Sequence, residues 1–333
     1  MYIGKPMEFV LTISNDDSEW DTLVAASPQG SVFSGSHYLR ALGSPSTRYV
    51  IRTPHGEALA GVAVMENVDA PGMHSAPFPF TPYQGILFGQ TVAVQPRHKR
   101  VTTEFRLTDF IIQRLIERYS DFSMALSPAL DDIRPFLWHN YHLPDAPHFT
   151  IRNRYTAVLD LSCFQLESYL KSIRAVRRQE FNKSTAEIAT TTNVALFLSL
   201  YLKTFERQSI AVSKQHQALV RDICTSALTH GYGRLSIADT ASGVASMSLF
   251  IHDEHCAYYL FGANDPELRN SGASTALMVD NIRSMSERGI AKLDFVGVNS
   301  PNRGDFKLSF NPELMPYHEV QLVAPPARPG HAA

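Results

Sequence analysis

The sequence predicts an α/β (α+β) protein made of two copies of one unit, each a mixed, twisted sheet flanked by helices. Three observations carry that expectation. The chain has 333 residues, long for one core and suited to about two domains. Strand and helix signals alternate along it. The order also repeats: "GEALAGVAVM" and "SGVASMSLFI" stand at matching places, as do "FIIQRLIERYSDFSMALSP" and "LMVDNIRSMSERGIAKLDFVG". The first unit is placed at 1–150 and the second at 151–324, with the boundary near "HFTIRNRYTAVLDLS". Residues 325–333, "PPARPGHAA", read as a frayed tail.

The elements follow in order. A helix is expected from about Asp17 to Ala26 and a second near Ser36 to Leu42. "TRYVIRTPHGEALAGVAVMENV" reads as a hairpin with His55-Gly56 in its turn and an alternating second arm. "TEFRLTDFIIQRLIERYS" has helical apolar spacing and leads into a strand at Phe122 to Leu126. In the second half, "GRLSIADTASGVASMSLFIHDEHCAYYLFGAND" gives a strand, a turn at Ser242-Gly243 and two more strands. "ASTALMVDNIRSMSERGI" is an amphipathic helix closed by Gly289 at the C′ position, and "AKLDFVG" is the strand after it.

Composition narrows the function classes. With 44% apolar residues, 19% charged residues and a net charge of -2, nothing demands a polyanion, and no DNA partner is expected. Cys163, Cys224 and Cys256 lie far apart with no zinc spacing, which suits reduced thiols in the cytoplasm. The pairs His139/His142 and His252/His255 have no evident third ligand, so no metal is expected. No tightly bound cofactor is expected either; G-x-S-x-G, Walker and dinucleotide patterns are all missing. The sequence has no membrane-length apolar run and no apolar stretch of signal-peptide type near its start.

Four stretches are candidates for chemistry. In "ELRNSGASTALMVDNI", Arg269 and Gly272 fit R-x-x-G-x-[GA], with Ser274 in the last place. Such a turn offers backbone N–H groups to a pyrophosphate, or is an ordinary helix start capped by Ser271 or Ser274. In "DFVGVNSPNRGDFKLSF", Lys307 lies among Phe306, Leu308 and Phe310, after a strand ending at Asp294 and Gly297. That lysine either snorkels or neutralises an oxyanion or phosphate beyond the strand end. "YLKSIRAVRRQEFNKS" puts Lys171, Arg174, Arg177, Arg178 and Lys183 on one expected helix, as a solvated face or a surface for a phosphate-rich partner. "PFPFTPYQGILFG" is a rigid apolar loop that walls a cleft or covers a core.

The second half also resembles the Fem-type branch of the GNAT acyltransferase superfamily. The matching residues are Tyr258-Tyr259, Gly262-Ala263, Asp294-Phe295, Gly297, and Phe306-Lys307 with Phe310. "TFERQSI" keeps Arg207 of an arginine-glycine pattern but has Gln208-Ser209 where the glycine is expected. "WDTLVAASPQGSVFSGSHYLRAL" is similar to the family's opening, so the resemblance covers most of the chain.

The resemblance implies two tandem GNAT-like domains, with the acceptor on the first and the donor and catalysis on the second. It implies amide formation by transfer from an aminoacyl-tRNA or an acyl thioester such as acyl-CoA. The acceptor would be a small-molecule amine or a peptidoglycan precursor. Lys307 would serve the oxyanion or the donor's phosphate-bearing end, and Asp294 the amine or a water. Backbone N–H groups near Gly262 and Ala263 would face the donor, and Arg269, Gly272 and Ser274 a coenzyme A pyrophosphate. Tyr83, Gln84, Arg207, Tyr259 and Phe306 would bind substrate. The coiled-coil arm of long family members is missing, which bears against a large tRNA platform. Two alternatives stay open: an acyl-CoA-dependent GNAT N-acetyltransferase of secondary metabolism or envelope modification, and a non-catalytic binding protein on a degenerate GNAT fold.

Overall fold

The structure is a computed structural model that describes residues 8–66, 75–76, 78–119, 122–206 and 210–323. Pro77, Arg207 with Gln208-Ser209, and the tail at 325–333 lie outside the described residues. The chain forms two compact units. Unit 1 is Met1–Ser36, Ser44–Arg154 and Tyr317–Ala333; unit 2 is His37–Gly43 and Tyr155–Pro316. The chain thus changes unit between Arg154 and Tyr155, and the residues from Tyr317 on, which the sequence places in the second domain up to residue 324, fall in unit 1.

The chain runs β1 (Val10–Ile13), α1 (Asp17–Ala26), α2 (Ser36–Ala41), β2 (Ser46–Arg52), β3 (Ala58–Glu66), β4 (Ser75–Ala76), β5 (Leu87–Phe88), α3 (Gln90–Ala93), α4 (Arg97–Ile116), β6 (Ser123–Ala125), α5 (Arg134–Trp138) and β7 (His148–Asp160). Asp16 starts α1 by accepting from the Ser18 and Glu19 N–H groups, and acidic residues in the first turn suit the helix dipole. Strands β1-β2-β3-β4 pair in that order, with β5 also on β3, all antiparallel. Strand β3 does not alternate as expected: all seven of its central residues are buried. Both of its faces are covered. Ala60, Val62 and Val64 join Leu107, Ile111 and Leu115 of α4 in one core. Gly61 lies under Trp20 and Leu23 of α1, where a Cβ would come within 2.6 Å of a Leu23 methyl. Strand β13 (Glu313–Val323) pairs with β6 through Glu319, Val320 and Gln321, which ties the strand to unit 1 from Tyr317 on.

Unit 2 adds α6 (Leu166–Ser172), α7 (Ala175–Lys183), β8 (Glu187–Thr190), α8 (Val194–Glu206), α9 (Lys214–Thr229), β9 (Gly233–Thr240), β10 (Gly243–His252), β11 (Cys256–Asn264), α10 (Ala273–Glu287), β12 (Lys292–Asp294) and α11 (Pro301–Leu308). Its sheet runs β8-β9-β10-β11-β12, with the end of β7 beside β12. Every pair is antiparallel except β11 with β12. Helix α10 packs Met278, Val279, Ile282 and Met285 against Phe250, Leu293 and Phe295. Gly289, at φ 81°, closes it as expected.

Hairpin, helix and strand thus recur in the same order, β2–β3, α4, β6 and then β9–β10, α10, β12. The counterpart of β11 in unit 1 is split into the short β4 and β5. Two expectations are corrected. The basic stretch is two helices, broken where buried Ile173 and then Arg174 take extended or near-extended backbone, the latter donating its N–H to Ser309. The Gly, Asn, Ser and Pro segment after Asp294, which by sequence reads as a loop, is in part helix: Ser300 at the N-cap position and Pro301 in the first turn open α11.

Candidate active site

The parallel pair β11/β12 ends early. Its register runs Cys256–Lys292, Ala257–Leu293 and Tyr258–Asp294, and there β12 stops. Strand β11 continues to Asn264 with, among the described residues, only β10 beside it in the ladder. The edge that faced β12 is therefore opened over Tyr259 to Asn264. At the far end, the Thr204 hydroxyl of α8 takes both the N–H and the C=O of Asn264. Two residues back, strand alternation turns the Gly262 N–H and C=O to the same open edge.

A bulge shapes this edge. Leu249 pairs with Phe261 and Phe250 with Tyr259, so Leu260 is the extra residue. In a regular strand Tyr259 and Gly262 would face opposite ways; the bulge brings them to one face. The Tyr259 ring lies on Phe250 at 5.2 Å, and its hydroxyl sits where a Gly262 Cβ would be, 2.0 Å from that position. The spacing Y-x-x-G therefore encodes a bulge and a vacancy. Burial pushes the Tyr259 phenol up to about 12, against the pull of Arg303, so it stays a hydrogen-bond donor at working pH. Ala263 is fully buried, and alternation turns its backbone toward Met247 of β10, away from the open edge, so the expectation that it faces the donor is corrected. Tyr258 is buried and directs its hydroxyl to Asp253.

Just past β12 the backbone turns sharply. Val296 and Gly297 have φ of 52° and 53°. That left-handed region is costly for a β-branched residue, roughly 1–3 kcal/mol. Asp294, only 3% exposed, offsets this by accepting from the Val296 N–H at 2.7 Å and from the Thr156 hydroxyl. On the other side, the Lys307 ammonium donates to the Val296 carbonyl and lies 3.4 Å from that of Gly297. Its Nζ is 5.5 Å from the Tyr259 ring centroid. Burial lowers the Lys307 pKa to about 8; Asp294 opposes the shift and Arg303, one turn earlier on α11, adds to it. Lys307 is thus neither a snorkelling side chain nor a free one. It is a half-buried cation clamped to a strained turn at the mouth of the open edge. Helix α11 reaches this turn because Gly304 lets it touch the Val298 carbonyl, where a Cβ would come within 2.5 Å.

Sequence reasoning grouped Lys307, Asp294, Gly262 and Tyr259, and the structure brings these together. Phe306 packs against Phe310 at 5.2 Å and under the Arg177 guanidinium at 4.8 Å. Arg269 is exposed, while Gly272 (φ 76°) and Ser274 stand at the start of α10. That helix start is covered by α7. A Cβ on Gly272 would meet the Glu180 carbonyl at 2.3 Å, and the Glu180 carboxylate accepts from Thr275 at 2.5 Å. Arg177 holds Glu180 at 2.5 Å and Ser309 at 2.9 Å, Arg174 pairs with Asp305, and Lys171 with Glu167. The basic stretch therefore spends three of its cations on carboxylates of unit 2. In unit 1, Tyr83 is buried between Phe33 and Tyr317, and Gln84 is buried with backbone and side chain both bonded to Ala125. Thr156 and Gly304 were missed; a glycine inside "NRGDFK" was the only available signal.

With the geometry in view, known proteins can be set beside it. Residues 167–308, a segment within unit 2 that ends just after Lys307, match the family model of the Acetyltransferase (GNAT) domain. The chain is similar in structure to FemX, with TM-score 0.66, 12% identity, and coverage of 94% of this chain and 97% of that one. It is also similar to a tandem GNAT protein from the clavulanic acid biosynthesis pathway, at TM-score 0.54, 10% identity, and 96% and 99% coverage. L-PGS from Bacillus licheniformis is matched at TM-score 0.53, 11% identity, and 94% coverage of both chains. No curated protein matches in sequence. Residues 167–308 thus match the GNAT domain model, and the fold of the chain is like that of FemX and of the tandem GNAT protein. The domain match supports acyl transfer as the general reaction class.

Proposed function

We propose that unit 2 moves an acyl or aminoacyl group from an activated ester or thioester to a primary or secondary amine, forming an amide. The observation that carries this is the open β11 edge, where the Gly262 amide, the Tyr259 hydroxyl and the Lys307 ammonium converge. The neutral amine attacks the donor carbonyl, and the oxygen gains negative charge. The Gly262 N–H and the Lys307 ammonium stabilise that charge. Collapse of the intermediate forms the C–N bond and breaks the C–O or C–S bond. The departing oxygen or sulfur takes the proton of the Tyr259 hydroxyl, and the phenolate takes back the proton that the amine nitrogen gives up, so no outside acid or base is consumed. Asp294 acts as a positioning residue, through the Val296 turn and as counter-charge to Lys307.

Acyl-CoA is the donor that the domain match favours. One observation favours a second reading, aminoacyl-tRNA: Glu180 already occupies the α10 start, where a donor pyrophosphate would meet a carboxylate. Thermal shift with coenzyme A and, separately, bulk tRNA tests this, since a ligand of the native state raises apparent stability. A rise with coenzyme A alone selects the first reading and a rise with tRNA alone the second. A rise with neither counts against transfer from both donors.

A further inference from the structure

We propose that unit 1 holds a separate binding site for a small organic compound ending in a primary ammonium group, in the cavity between α4 and the segment after β6. The cavity is about 170 Å³. A cavity of roughly 150 Å³ admits benzene, so this one takes about six heavy atoms. One stripe of α4, at i, i+4 and i+8, gives it Arg100, Glu104 and Thr108. Asp131 and Asp132 face them from the segment after β6, and Phe88 and Leu130 supply apolar wall for a short alkyl chain. By element order, it lies where unit 2 has its open edge: beyond the end of β5, beside α4, after β6.

The lining is short of cations and of hydrogen-bond donors. Three carboxylates face one internal guanidinium, and Arg134, from outside the lining, binds Asp132 at 2.8 and 2.6 Å. The Arg100 Nε is 3.7 Å from Glu104, an ion pair without a hydrogen bond, and an Arg100 Nη donates to the Ala93 carbonyl. Among the described residues neither Glu104 nor Asp131 accepts a side-chain hydrogen bond. Burial holds the Glu104 carboxyl up, and Asp131 and Asp132 add to this.

Thr108 is the independent sign of a missing partner. It is 1% exposed and lines the cavity. Thr22, Thr102, Thr103 and Thr204 each donate to the carbonyl four residues back. Thr108 makes no hydrogen bond through its hydroxyl among the described residues, although buried hydroxyls normally find one. An ammonium supplies three donors, enough for Glu104, Asp131 and the Thr108 oxygen together. A metal ion fits less well, because no group of three His, Cys, Asp or Glu side chains among the described residues is placed to hold one.

The site is independent of the reaction proposed for unit 2, so either can fail alone. The test is calorimetric titration of the full chain with 1,4-diaminobutane, with 1,4-butanediol as uncharged control, at fixed ionic strength. The expected result is saturable binding of one diamine and none of the diol. Glu104→Gln should weaken binding about tenfold or more, and Thr108→Val about threefold to tenfold. Thermal melts establish that each variant is folded; if Glu104→Gln is not, Asp131→Asn takes its place. No saturable binding by the wild type, or equal affinity in the folded variants, overturns the proposal. So does displacement of the diamine by equimolar Mg²⁺, which would mark a metal site.

Discussion

Gly304→Ala tests how tightly the catalytic geometry depends on one helix contact. The added Cβ would lie 2.5 Å from the Val298 carbonyl oxygen, and ordinary contact begins at 3.4 Å. Helix and turn must therefore separate by about 0.9 Å, because the obstacle is backbone and cannot rotate away. Overpacking of this kind costs about 1–3 kcal/mol, and the better helix propensity of alanine returns about 1 kcal/mol. The net loss of stability should be about 0–2 kcal/mol. The catalytic effect should be larger. Lys307 sits one turn on from Gly304 and is held by the Val296 and Gly297 carbonyls just before Val298. A misplacement near 1 Å can cost about a hundredfold in turnover. The assay is kcat for amide formation beside a thermal melt. A variant with wild-type turnover and wild-type Tm would refute the reasoning, since it would mean that α11 need not touch the turn.

Other substitutions probe the remaining parts. Asp294→Asn keeps the shape but removes a charge that raises the Lys307 pKa, so the alkaline limb of the rate profile should move below about 8. The same variant should lose roughly 1–3 kcal/mol in chemical denaturation, as a charge-assisted acceptor becomes a neutral one. Tyr259→Phe should leave the melt nearly unchanged yet lower turnover about 10²-fold, if the hydroxyl supplies the leaving group's proton. Gly272→Ala should destabilise unit 2 by at least about 1–3 kcal/mol, because φ 76° and the Glu180 carbonyl at 2.3 Å both oppose a side chain; an unchanged Tm would contradict the close packing of α7 on α10. In stability against pH, unfolded Lys307 binds a proton up to about 10.5 and folded Lys307 only up to about 8. Wild type should therefore gain stability between these values relative to Lys307→Met, and parallel curves would count against a buried lysine.

Much of the fold was legible because local signals agreed with the packing. Asp16 and Gly289 mark helix ends through backbone needs that sequence reports directly. The hairpins are likewise set by their turns at Gly56 and Gly243, both at positive φ. What escaped depends on distant partners. Ile173 breaks the basic helix because it is drawn into the core, and Arg174 finds Asp305 across 131 residues. Strand β3 hides its period because α1 and α4 cover both faces. Within the site, the order Tyr259, Gly262, Asp294, Lys307 could be read, but not the bulge that makes the first two neighbours. Nor could spacing show that Asp294 spends its hydrogen bonds on a turn.

The most direct test of the central claim is the pH dependence of kcat/KM for wild type and Lys307→Arg. An ammonium that stabilises the oxyanion must be lost as pH rises through its lowered pKa, so the wild type should show an alkaline limb near 8. Arginine does not lose its proton in this range, so the folded variant should keep some activity without that limb. Limbs at the same pH in both enzymes would contradict the account, because the titrating group would then not be Lys307.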